Sequence, residues 1–146
     1  WSVLKHIYPD ANIPTLQLSL DMTKPFDYHF KLGEKIKFLR EKGVLIIGSG
    51  NIVHNLKKVK WGNETSPYDW AVEFDQWVTR NLVKREFEPL INKATSSISG
   101  TLSIPTTEHY LPLLYIIGAS EPDDKLTFEY EGFQNGSLSM RCFKFS

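Results

Sequence analysis

A wholly apolar run constrains this chain more than any other feature. In "GVLIIGSGNIVHNL" the residues Val44 to Ile47 carry no polar side chain, and two glycines, Gly48 and Gly50, follow. So short an apolar run, preceded by a helix signal, predicts a strand covered on both faces. The segment before it, "MTKPFDYHFKLGEKIKFLREKG", places His29, Leu32, Ile36 and Leu39 on one helical stripe. Thr23 is a candidate cap, Pro25 suits the first turn, and Gly43 ends the pattern. Upstream, Leu16, Leu18 and Leu20 alternate with Gln17 and Ser19, which predicts a strand over 13–21. Strand, helix and strand in this order imply a right-handed crossover and a parallel pair. The expected class is α/β, three layers as α/β/α, with a mostly parallel central sheet.

Downstream, "YDWAVEFDQWVTRNLVKREFEPLI" sets Ala71, Phe74, Trp77 and Val78 on one face of a long helix. The stretch after His54 is irregular or briefly helical, with turn signals at Gly62, Asn63 and Pro67. "NKATSSISGTLSIPT" is small, polar and loop-like. Leu113 to Ile117 is apolar enough for a helix or a buried strand, and periodicity does not choose between them. The end alternates and contains Asn135-Gly136, a strong hairpin signal.

At 146 residues the chain is expected to be one domain, 1–146, and 41% apolar content supports a real core. Seventeen basic residues balance seventeen acidic ones. That leaves no electrostatic footprint for nucleic acid or an anionic membrane. No apolar run reaches the roughly 20 residues that span a bilayer, and no charged-then-apolar leader opens the sequence. The single cysteine, Cys142, fits a reducing, cytoplasmic setting and is expected as a small buried hydrophobe in the last strand. Trp1, Leu4 and Ile7 lie at helical spacing before Pro9, as the tail of a helix would. The expectation is therefore the C-terminal portion of a longer protein.

The GSG turn is a poor phosphate cradle. A dinucleotide fingerprint needs a third glycine, where Val53 stands, and no Gly-Lys-Ser/Thr follows. Its plain meaning is a tight turn with positive φ. Alternatively the turn delivers His54, flanked by Asn51 and Asn55, to the carboxyl end of a strand, where ligands meet open α/β sheets. There an imidazole could take and return a proton, or its nitrogens could be satisfied by loop carbonyls. His109 stands beside Glu108 between Pro105 and Pro112, but two histidines so far apart carry no metal-spacing motif. His6 and His29 are expected to be structural.

The segments "YPDANIPTLQLSLD", "GVLIIGSGNIVHNLKKVKW", "SPYDWAVEFDQWV", "GTLSIPTTEHYLPLLYIIGA" and "GSLSM" together resemble the C-terminal half of the 4,5-DOPA extradiol dioxygenase family. That family lies within the class III, LigB-type ring-opening dioxygenases. The likeness runs from about Trp1 to Met140. It implies a catalytic domain that cleaves a catechol-type, DOPA-like ring with O2 at a non-haem divalent metal, Fe(II) or zinc. It further implies His54 as the acid/base, close enough to ligate as well, and His109 as a metal ligand. Glu108 holds a minor claim on that position. Asn51 and Gly50 would hold His54 in place, and Trp61 and Tyr110 would line an aromatic pocket or simply pack. The family's other metal histidines belong to its N-terminal half and are not in this sequence. The chain alone is therefore expected to be inactive and to self-associate along an exposed sheet edge. Two competing readings are a non-catalytic binding or scaffold domain of the same superfamily and a zinc-dependent hydrolase.

Overall fold

The computed structural model describes residues 2–62 and 66–146, so Trp1 and Asn63 lie outside the described residues. The chain forms α1 (Ser2–Ile7), α2 (Phe26–Ile36), α3 (Asp69–Lys84), α4 (Phe87–Asn92), α5 (Ile98–Ser103) and α6 (Leu111–Gly118). The strands β1 (Leu126–Tyr130), β2 (Phe133–Gln134), β3 (Leu138–Ser139) and β4 (Cys142–Phe145) follow. Helices and small antiparallel sheets therefore share one core.

α6 is the centre of that core. Leu111, Leu113, Leu114 and Ile117 are all buried, and Phe74, Val78 and Leu82 of α3 and Leu90 of α4 join them. Burial on all sides explains why α6 has no helical stripe: every face meets a neighbour. Pro112 sits in its first turn, where a missing N–H costs nothing. α2 crosses α6 closely, and a Cβ on Gly33 would lie 2.5 Å from the carbonyl oxygen of Tyr115. His29 is fully buried at this crossing, its Nδ1 2.9 Å from the Tyr115 hydroxyl.

The helices differ in detail from the pattern. Pro25, not Thr23, occupies the N-cap position of α2, which has no side-chain cap; Thr23 instead donates its hydroxyl to Asp21 Oδ1 at 2.6 Å. A 3₁₀ turn, Lys37–Lys42, extends α2 to Gly43, which adopts φ 77°. The long helix breaks at Arg85 (φ 56°) into α3 and α4. α5 lies in the stretch expected as loop. Ser97 caps it by accepting from the Gly100 N–H at 3.0 Å.

The expected hairpin forms, with Asn135 at φ 52° and Gly136 at φ 74°. β2 and β3 pair through Phe133–Ser139 and Gln134–Leu138. β1 and β4 enclose them, pairing Leu126 with Phe145 and Phe128 with Phe143. Cys142 corrects the sequence expectation: it is exposed. Side chains alternate across β4, and the face that holds Phe143 and Phe145 against the core turns Cys142 outward.

The expected parallel central sheet is not formed among the described residues. Among the described residues, neither 13–21 nor 44–50 enters a ladder. Both lack regular structure and leave apolar side chains in the open: Leu16 is 98% exposed, and Leu18, Leu45 and Ile47 are exposed too. The pattern for a covered strand is present, but no backbone lies alongside to accept it.

Candidate active site

The glycines after Ile47 are not there for positive φ, since neither Gly48 nor Gly50 adopts it. They let the backbone lie against the start of α6. A Cβ on Gly48 would sit 2.8 Å from Ile116 Cγ1 and 2.9 Å from the Pro112 oxygen. One on Gly50 would overlap the carbonyl oxygen of His109. Contact this close lets the Asn51 N–H donate to that same oxygen at 2.9 Å. The glycines thus set the distance between the His54 loop and the His109 turn.

From Asn51 onward each residue of the loop is fastened. Ile52 and Val53 are buried. The His54 N–H donates to the Ser103 carbonyl at the end of α5 (2.9 Å), and Asn55 Nδ2 donates to the Leu102 carbonyl (2.7 Å). On the other side lies the hairpin. Ser139 N–H donates to Val53 O at 3.0 Å, Asn55 N–H to Ser137 O at 3.2 Å, and Asn51 Nδ2 to Ser139 O at 2.7 Å. His54 and Leu138 form an antiparallel bridge. Five consecutive residues are therefore held between α5, α6 and β3.

Two imidazoles meet at this junction. The rings of His54 and His109 stack, with centroids 3.6 Å apart and planes at 21°. His109 lies in the turn that opens α6, and both rings are half-buried. Burial holds the His54 imidazole below its ordinary proton affinity; the neighbouring His109 adds to this and Glu108 opposes it. Glu108 Oε1 accepts from the Thr106 hydroxyl at 2.7 Å and lies 4.0 Å from His109 Nε2. The Thr106 hydroxyl holds the Glu108 carboxyl below the usual range. Its other oxygen, Oε2, is buried without a partner.

Two imidazoles and a spare carboxylate oxygen are the donor types of a divalent-metal site. Among the described residues, no group of three or more His, Cys, Asp or Glu side chains is placed to hold an ion.

Of the other residues singled out in the sequence, Asn51 and Gly50 join the site as above. Tyr110 does not line an open pocket. It is buried against Phe26 and Phe74, and its hydroxyl donates to the Leu90 carbonyl at 2.9 Å. Trp61 lies 87% exposed beyond the 3₁₀ turn Leu56–Lys58. Sequence reasoning missed Ser103, Asp75 and Arg141. Asp75 had a signal: it is a carboxylate on the same stripe as Ala71, Phe74 and Val78, where burial demands a partner. No helix among the described residues is long and apolar enough to cross a membrane.

Residues 2–140 match the family described as the catalytic LigB subunit of aromatic ring-opening dioxygenase. The chain is 48% identical over 143 residues to the 4,5-DOPA dioxygenase extradiol of Escherichia coli K12, covering 96% of this chain and 52% of that protein. It is 34% identical over 148 residues to the protein of the same name from Portulaca grandiflora, covering 54% of its length. The chain thus spans about half the length of the curated relatives it matches. Among solved structures, it resembles that of an uncharacterized protein from Escherichia coli K12. The TM-score is 0.91 at 47% identity, over 98% of this chain and 59% of that one.

Proposed function

This chain belongs to the family of the catalytic LigB subunit of aromatic ring-opening dioxygenases, and from that premise we propose that it is the C-terminal part of an extradiol dioxygenase opening a DOPA-like catechol with O2. The names of the relatives support the substrate class. One observation carries the reading: His54 and His109, 55 positions apart in sequence, stack at 3.6 Å.

The stacking also supports a division of roles. An imidazole nitrogen offers its lone pair in the ring plane, and a ligated metal stands about 2.0–2.1 Å from it. Two rings stacked with centroids 3.6 Å apart and planes at 21° do not both aim an in-plane lone pair at one such ion. His109 is the ligand, and His54 stands over it as the acid/base. Glu108 Oε2 offers the nearest spare oxygen. The metal, Fe(II) or zinc, supplies when bound a Lewis-acidic centre for the catechol oxygens and O2. Near neutral pH the lowered proton affinity of His54 keeps a ring nitrogen free. That nitrogen accepts a proton from a catechol hydroxyl and returns it when the ring opens.

The runs 13–21 and 44–50 fit strands of a parallel sheet in a three-layer α/β/α domain. An N-terminal segment such as the relatives possess would pair with them and supply the missing ligands. Alone, the chain leaves both runs open, self-associates along them and does not cleave rings. The exposed Cys142 thiol suits a reducing cytoplasm.

The test joins the chain to an N-terminal half of the relatives' length, loads Fe(II) without oxygen, then admits O2 with L-DOPA. A yellow ring-fission product and one O2 consumed per catechol are expected, and His54→Ala should abolish both. A metal-loaded protein that consumes no O2 refutes the proposal.

A further inference from the structure

Beyond the two imidazoles lies a buried ionic group to which the family match assigns nothing. Asp75, on α3, and Ser139, in β3, are almost wholly buried. The Ser139 hydroxyl donates to Asp75 Oδ1 at 2.6 Å. Arg141 grips the same carboxylate: Nε lies 3.1 Å from each oxygen and Nη2 is 2.5 Å from Oδ2. Glu131 Oε2 lies 3.0 Å from Nη1, so the guanidinium sits between two carboxylates. Only 8% of the Arg141 side chain is exposed.

A salt bridge this deep is a weak source of stability, because desolvation offsets most of its attraction. What it does supply is direction. A carboxylate with three donors in fixed places determines where Ser139 stands. Ser139 is the residue whose N–H bonds Val53 O and whose carbonyl receives Asn51 Nδ2, one residue after the bridge from Leu138 to His54. The path from Asp75 to the His54 backbone is thus one side-chain bond and one strand pairing.

We propose that Asp75, Ser139 and Arg141 form a clamp that positions His54 over His109. Asp75 and Ser139 are positioning residues, since neither touches the rings. α3 is the fixed anchor, β3 the arm and the 51–55 loop the load. The proposal rests on the function proposed above, and its test separates the two.

In the metal-loaded two-half enzyme, Ser139→Ala removes the hydroxyl but leaves the Asp75–Arg141 pair and the strand backbone. Loosening the arm should lower kcat about tenfold, because small misplacements of a reacting group are costly. KM should stay within about twofold. Ser139→Thr, which keeps a hydroxyl, should recover most of the loss. In NMR spectra the His54 ring protons should move away from the shielded positions that stacking on His109 gives them. Asp75→Asn should act in the same direction, and if it fails to fold, Ser139→Ala decides alone. A folded Ser139→Ala protein with unchanged kcat and unchanged His54 signals overturns the clamp. If the parent opens no catechol ring while the His54 signals still move in Ser139→Ala, the clamp stands and the dioxygenase proposal falls.

Discussion

Gly50→Ala is the sharpest probe of how the site is spaced. The new methyl would overlap the His109 carbonyl oxygen and stand 3.1 Å from its carbon and 3.2 Å from Pro112 Cγ. Two of those atoms are backbone, so no rotamer change relieves them. Restoring an ordinary C···O contact of about 3.3 Å means parting the two segments by about 1 Å. That displacement breaks the 2.9 Å bond from Asn51 N–H to His109 O, at a cost of about 1 kcal/mol. Residual overpacking against α6 adds about 1–3 kcal/mol. At roughly 2–4 °C per kcal/mol for a chain of this size, the melting temperature should fall by about 5–15 °C. The rings should part from their 3.6 Å stack, and the two-half enzyme should lose up to about a hundredfold in kcat. Calorimetry measures the first effect, ring-proton shifts the second and O2 uptake the third. A variant that melts with the parent and keeps the shielded His54 signals would refute the idea that glycine sets this distance.

Other outcomes follow from the same geometry. Ser97→Ala should cost about 1 kcal/mol by uncapping α5. Because the Ser103 carbonyl at the end of that helix holds the His54 N–H, hydrogen exchange at that amide should quicken; an unchanged rate contradicts the link. Burial depresses the proton affinity of both His29 and His54 in the folded chain. Stability from this source is complete above about pH 6.5 and is lost as pH falls from there toward the lower folded values. Urea midpoints at pH 7.5 and 5.5 should show the decline, and a rise on acidification would contradict it. Leu16→Lys with Leu45→Lys places charge on both open runs, so sedimentation should shift from associated species toward the monomer. Equal association with and without the lysines would rule those runs out as the contact.

Where structure depends on neighbouring residues, the sequence was a good guide. The Asn135-Gly136 turn, the Gly43 stop and the inward stripe of α3 all rest on local backbone or side-chain chemistry. α5 escaped notice because it is six residues of small and polar side chains, held by one serine cap. α6 was ambiguous because uniform burial erases periodicity. The run over 13–21 alternates as a strand should, but a ladder needs a partner backbone, which no local pattern supplies. At the site, His54 and His109 were legible as residue types and through the family likeness, while their stacking depends on contacts across the fold. At Gly48 and Gly50 the sequence predicts backbone freedom, whereas the constraint comes from a helix more than sixty residues away. For Tyr110 the sequence leaves a ligand surface and core packing both open, and burial decides for core.

The fastening of the His54 loop has a consequence for biosynthesis. Its last restraints come from Ser137 and Ser139, the latter steadied through Asp75 by Arg141, all more than twenty-five residues after His109. A ribosome that has delivered the two imidazoles has not yet delivered what orders them. Chains ending early, by a nonsense codon or a nick ahead of the hairpin, would retain both histidines and still lack the contacts that order the His54 loop.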